Sequence, residues 1–206
     1  MMDGSTPTSR RAGAEPGPAW QALHAATAGL HAQVEALPLM RALMSPTVDA
    51  ATCIGVLQGL LAAHAVWEQA NAAWLRALAW PWQPRAPRLQ RDLLALDAPL
   101  PAGSPPAPRA SCAEEAWGML YVVEGSALGG RLIARHLRAR LPQLAARICH
   151  FDADPGPGWP AFRTALEQAL PANPARQQAA AAARAMFTHF HHCLATAARQ
   201  QETACA

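Results

Sequence analysis

Lysine is absent from the sequence, and all 17 permanently basic side chains are arginine. Any anion this chain holds is therefore held by arginine, histidine or backbone N–H groups. Charge of either sign is scarce: charged residues make up 15% of the 206 positions, and the net charge is +3 with histidine neutral. So small a surplus excludes nucleic acid as an expected partner. The five cysteines, Cys53, Cys112, Cys149, Cys193 and Cys205, are odd in number, and no two stand at C-x-x-C spacing. They read as free thiols in a reducing compartment, the cytoplasm. No run reads as long and apolar enough to cross a membrane, and the first residues lack the apolar centre of a secretion signal. No membrane partner is expected, and residues 1–17 read as a disordered tail. No internal repeat is visible.

What is present is 51% apolar and rich in alanine. Such a mix favours packed helices, and the length suits one all-α domain over 18–206 with a substantial core. Helical spacing of apolar residues and Pro/Gly punctuation mark out about seven helices. Segment 20–37 carries Ala22, Leu23, Ala26, Leu30, Val34 and Leu37 on one face, and Pro38 ends it. A second helix runs over 48–78, with Asp49 at its start. The Pro-rich stretch 79–87 breaks it, and a short helix follows at 88–96. Another Pro-rich loop leads to the central helix from Cys112 to Leu141. The segment 142–157 reads as a loop, 159–170 as an amphipathic helix, and 175–198 as the last long helix.

Within the central helix, Gly125, Gly129 and Gly130 fall within six residues. Each interior glycine costs roughly 0.5–1 kcal/mol relative to alanine, so helix formation alone does not explain them. Either they let another helix approach closely, or the helix kinks there and lays bare backbone against a flat ligand. Ser126, between them, places a hydroxyl within reach of a water or a carbonyl. On the first helix His24 and His31 lie seven apart, near one side. His31 borders the apolar stripe, which suits a boundary residue or an iron ligand. His64 and Glu68, four apart, read as a hydrogen-bonded pair rather than two metal ligands. The run His189, His191, His192 has no i,i+4 histidine pair and is not read as a metal site.

Two segments carry a resemblance. L-H-A-A-T-A-G-L-H-A-Q-V-E resembles the proximal helix of haem oxygenases, whose Leu-x-x-x-Thr-x-x-x-His-x-x-x-Glu pattern falls on Leu23, Thr27, His31 and Glu35. Y-V-V-E-G-S-A-L-G-G, opening at Tyr121, resembles their distal helix, especially in the bacterial branch associated with bacteriophytochromes. The two occur in family order and about ninety residues apart, and the likeness extends over about 20–200. It implies a haem-oxygenase-like helical fold with haem, as both substrate and cofactor, between the two helices. His31 would ligate the iron. Gly125, Ser126, Gly129 and Gly130 would cover the face where O2 binds and tilt it toward one meso carbon. Thr27, Glu35 and Tyr121 would belong to the haem surroundings. His24 stands where the family has a basic residue for the propionates, with Arg184 as a second cation and Phe187 lining the pocket. Ser126 stands where mammalian members carry Asp, as in the bacterial branch. The implied products are biliverdin, CO and iron. Electrons would come from a ferredoxin or a flavin reductase, and a bacteriophytochrome would be a possible recipient of biliverdin. A haem carrier or sensor on the same fold is the alternative, and a thiaminase-like enzyme a more distant one.

Overall fold

The computed structural model describes residues 17–153 and 156–205. The expected tail at 1–17 lies almost wholly outside them, and so does the side chain of Cys205. The described residues form nine α-helices and one 3-10 turn, with no strand. In order they are α1 (Pro18–Glu35), α2 (Pro38–Leu43), α3 (Ala50–Ala70), α4 (Ala72–Ala77), α5 (Ala86–Ala95), α6 (Ala113–Arg140), α7 (Pro142–Ala145), the 3-10 turn His150–Asp152, α8 (Gly158–Ala169) and α9 (Asn173–Cys205). The all-α expectation holds.

The extra helices are short pieces with local causes. Pro38 does end α1, but it also opens α2, because proline suits a first helical position where no N–H is needed. The helix expected over 48–78 divides at Asn71. The Asn71 amide donates to Trp67 O at 3.0 Å and to Pro108 O at 2.9 Å, and its carbonyl accepts from Ala110 N–H at 2.8 Å. One side chain thus ends α3 and fastens the loop that leads into α6. At the other end of α3, the Asp49 carboxylate accepts from Thr52 N–H at 2.8 Å as an N-cap. The segment expected as a loop over 142–157 contains α7 and the 3-10 turn.

Gly17, at the start of α1, has no side chain to cap the helix. A residue from α8 does it instead: the Glu167 carboxylate accepts from Ala19 N–H at 2.9 Å and Trp20 N–H at 2.8 Å. A Cβ on Gly17 would lie 2.6 Å from Glu167 Oε1, so this cap requires the glycine.

The centre of the fold is α9, which packs along α1, α3 and α6. By contrast, α1 and α6 do not pack along each other. The α6 backbone comes close to α9 at Gly118, where an added Cβ would overlap the Ala179 peptide, 2.6 Å from its carbonyl carbon. Apolar side chains from α1, α6, α8 and α9 form one core, around Leu23, Trp117, Leu120, Phe162 and Met186. A second core lies at the other end, around Leu43, Leu57, Leu89, Leu93 and Leu137.

One expectation is corrected here. At 21 residues, with a mean hydropathy of 1.5 over its most apolar 18-residue window, α3 is long and apolar enough to cross a bilayer. Its Cys53, Val56, Leu57, Ala63 and Trp67 are instead buried against neighbouring helices. A core helix enclosed on several sides needs the same composition as one enclosed by lipid.

Candidate functional site

His31 projects from the exposed side of α1, with 58% of its side chain open to solvent. Its Nδ1 faces Glu35 Oε2, one turn on, at 3.6 Å. A carboxylate at Nδ1 orients the ring and leaves Nε2 for a ligand. The Phe187 ring of α9 meets the imidazole edge-on, with centroids 5.6 Å apart. His31, Glu35 and Phe187 are therefore brought together as the sequence suggested.

Thr27 and Tyr121 lie behind this face. Thr27 is 2% exposed and donates to Leu23 O at 2.7 Å. On α6 the buried Tyr121 hydroxyl lies close enough to the Thr27 hydroxyl to feel it. Burial pushes the Tyr121 phenol up, and the Thr27 contact partly offsets this.

The glycines on α6 differ from one another. The helix is unbroken through all three, and none has a positive φ. An added Cβ on Gly130 would lie 3.3 Å from Phe151 O, so this glycine serves close packing on the 3-10 turn. On Gly125 it would meet the Trp159 ring at 3.5 Å, an ordinary contact. On Gly129 it would meet nothing within 4 Å. Gly125, Leu128, Gly129 and Leu132 share one helical face, on which Leu128 is 46% and Leu132 58% exposed. A solvent-facing stripe of leucine and bare backbone suits a flat apolar ligand. Ser126 donates to Val123 O at 2.7 Å, the carbonyl option of the two expected.

Three basic side chains come from α1, α8 and α9. His24 is exposed and stacks on Trp20, with centroids 4.8 Å apart. The Arg163 guanidinium from α8 lies 5.2 Å from the Trp20 ring centroid, and its buried Nε has no hydrogen-bond partner. Arg163 was not legible in the sequence, because nothing in the local pattern links α8 to α1. Arg184 is exposed on α9, one turn before Phe187, and takes part in none of the described ion pairs.

Sequence reasoning also missed a buried polar group behind α6. Glu124, next to Gly125, is 5% exposed and accepts from Arg85 Nη2 at 3.0 Å. Burial pushes its carboxyl up, and the Arg85 charge opposes this. Glu68 accepts from the N–H groups of Arg85 at 2.6 Å and Ala86 at 3.1 Å, at the start of α5. The expected His64–Glu68 hydrogen bond is absent: the atoms are 3.7 Å apart, and His64 Nδ1 is buried without a partner. Glu68 turns to the α5 backbone because N–H groups at a helix start attract a carboxylate.

The remaining candidates are structural. His189 is buried and bonds Ala63 O at 3.1 Å. Among the described residues, no three histidine, cysteine or acidic side chains are grouped to hold a metal. The four described cysteines are free, and burial pushes Cys53 and Cys193 up to about 12. Such thiols make poor nucleophiles at neutral pH, which speaks against thiaminase-like chemistry at either of them.

An all-helical fold with an exposed histidine on one helix and a bare, leucine-flanked face on another has the parts that a flat, metal-bearing ligand needs. The family described as heme oxygenase matches residues 18–196. A protein of Xanthomonas campestris pv. campestris (strain 8004) named "Heme oxygenase" is 45% identical over 167 residues, covering 78% of this chain and 99% of the relative. The chain belongs to the haem oxygenase family.

Proposed function

We propose that this chain cleaves haem oxidatively to biliverdin, CO and iron, using O2 and reducing equivalents. What supports the proposal is an exposed His31 on α1, oriented by Glu35, together with an exposed, bare Gly129 face on α6, on two helices that both pack along α9. Bound haem supplies the iron at which O2 is reduced.

The chain's own residues then orient, crowd and shield. His31 Nε2 takes the proximal position, held by Glu35 at Nδ1 and by the Phe187 ring edge. Thr27 and Tyr121 support α1 from behind rather than touching the ligand. On the distal side, Gly129 leaves room over the iron, and Gly125 and Gly130 set the helix against Trp159 and Phe151. Ser126, with its proton given to Val123 O, keeps lone pairs as an acceptor for water. His24, Arg184 and Arg163 meet the propionates. A ferredoxin or a flavin reductase supplies electrons in the cytoplasm, and a bacteriophytochrome receives the bilin.

A haem carrier on the same fold separates from this reading in one experiment. Haemin is titrated into the purified protein, and the complex is incubated aerobically with an electron donor. Loss of the Soret band with appearance of a green bilin is the expected result. A Soret band that persists makes the protein a carrier, and failure to bind haemin removes the cleft from the function.

A further inference from the structure

The 3-10 turn His150–Asp152 supports the distal helix from behind. Phe151 abuts Gly130 of α6, and the Arg138 guanidinium on α6 pairs with Asp152 at 2.5 Å. Asp92 of α5 accepts from the N–H groups of Cys149, at 3.0 Å, and His150, at 2.7 Å. These contacts fasten the turn to α6 and α5. Toward α3 the arrangement is different. The His64 and His150 rings meet edge-on, at 61° with centroids 6.2 Å apart, too far for a direct bond. Each has a buried Nδ1 with no hydrogen-bond partner, and His64 is 2% exposed.

Two enclosed imidazole nitrogens left unpaired would be costly, and buried polar groups in native proteins are almost always satisfied. The missing partner is small and polar. A cation is disfavoured, because Arg85 and Arg88 lie close enough to act on both rings. Water is neutral and donates or accepts as each ring requires. A third polar atom, Glu68 Oε1, stands 3.7 Å from His64 Nδ1. A buried water commonly makes about three hydrogen bonds, and these three atoms supply them.

We propose that an ordered water bridges His64 Nδ1 and His150 Nδ1, fastens the turn to α3, and makes both histidines positioning residues for the glycine-bearing segment of α6. The catalytic part of this proposal rests on the haem oxygenase reading proposed above; the water itself does not.

Two measurements test it. A high-resolution crystal structure of the haem-free protein is expected to show one water within hydrogen-bond distance of both Nδ1 atoms. No such peak, direct contact between the rings, or a metal ion there overturns the proposal. In the second, His150→Asn keeps a polar atom near the Nδ1 position and His150→Leu does not. Turnover is expected to fall about tenfold in the leucine variant, short of the roughly hundredfold a 1 Å misplacement can bring. The optical spectrum of its ferric haem complex or its bilin isomer ratio should change with it, and asparagine should restore all of these. Equal behaviour of the two variants overturns the positioning role. Should His150→Leu not fold, His64→Asn and His64→Leu make the comparison from α3. Wild-type protein that fails to bind haemin refutes the cleft instead, while the crystal still decides on the water.

Discussion

Replacing His31 by alanine leaves the leucine stripe and the open Gly129 face in place. His31→Ala is therefore expected to admit haem, lose the nitrogen-ligated iron spectrum and lose turnover. Resonance Raman checks this: an unchanged iron–histidine stretch would assign the ligand to another residue. Gly129 and Gly118 give a contrasting pair on the same helix. Gly129→Leu places a side chain where nothing lies within 4 Å. It should leave the fold as stable or raise stability by up to about 1 kcal/mol, yet abolish bilin formation. Gly118→Ala drives a methyl into the Ala179 peptide and should cost roughly 1–3 kcal/mol or more by overpacking. Melting temperature and turnover per folded molecule, measured together, separate the two. If Gly129→Leu keeps normal turnover, the haem lies elsewhere. Only part of this contrast was legible in the sequence. The cluster at 125–130 announced itself by its density, but Gly118 is isolated, and its close approach to α9 depends on a residue 61 positions away.

Among the elements, α1 depends on α8 for its beginning. With no side-chain cap of its own, it borrows the Glu167 carboxylate across 148 positions of sequence. Glu167→Ala should cost about 0.5–2 kcal/mol, the range for a lost N-cap. The faster hydrogen exchange should be confined to the first turn, at Ala19 and Trp20, with His31 three turns away unaffected. Exchange that rises across the whole of α1 would show that α8 holds more of the helix than its start. This element also marks the limit of reading from sequence. Apolar period and proline punctuation gave the long helices, because both act within a few residues. His31 and Glu35 came from the likeness of this helix to the proximal helix of haem oxygenases, a pattern that also lies within a few turns. The division at Asn71, the Arg85–Glu124 pair and the remote cap all depend on which side chains the finished fold brings together.

For the whole molecule, the buried histidines set the response to acid. Burial, with the nearby Arg88 and Arg85 charges, pushes His150 down from 6.5 to about 3, and burial holds His64 well below 6.5 as well. Above 6.5 both are neutral whether the chain is folded or not, and their neutral environment costs nothing. Below it the unfolded chain takes up protons that the folded one refuses, so stability falls steadily toward about pH 3. Glu68 and Glu124, raised by burial, act in the opposite direction above 4.5 and soften the slope. Melting temperature is expected to decline between pH 6.5 and 4, and less steeply in His150→Asn. Parallel curves for the two proteins would place the acid lability in other groups.

The packing of α9 along both α1 and α6 also fixes an order of events. The ribosome completes α1 and α6 well before it reaches Asn173, and neither can hold its place in the cleft without the helix that joins them. At roughly 5–20 residues per second, the 33 residues of α9 take a few more seconds to appear. Haem capture therefore follows synthesis and does not accompany it. A nascent chain stalled before α9 would leave the apolar faces of both helices open to chaperones instead of to haem.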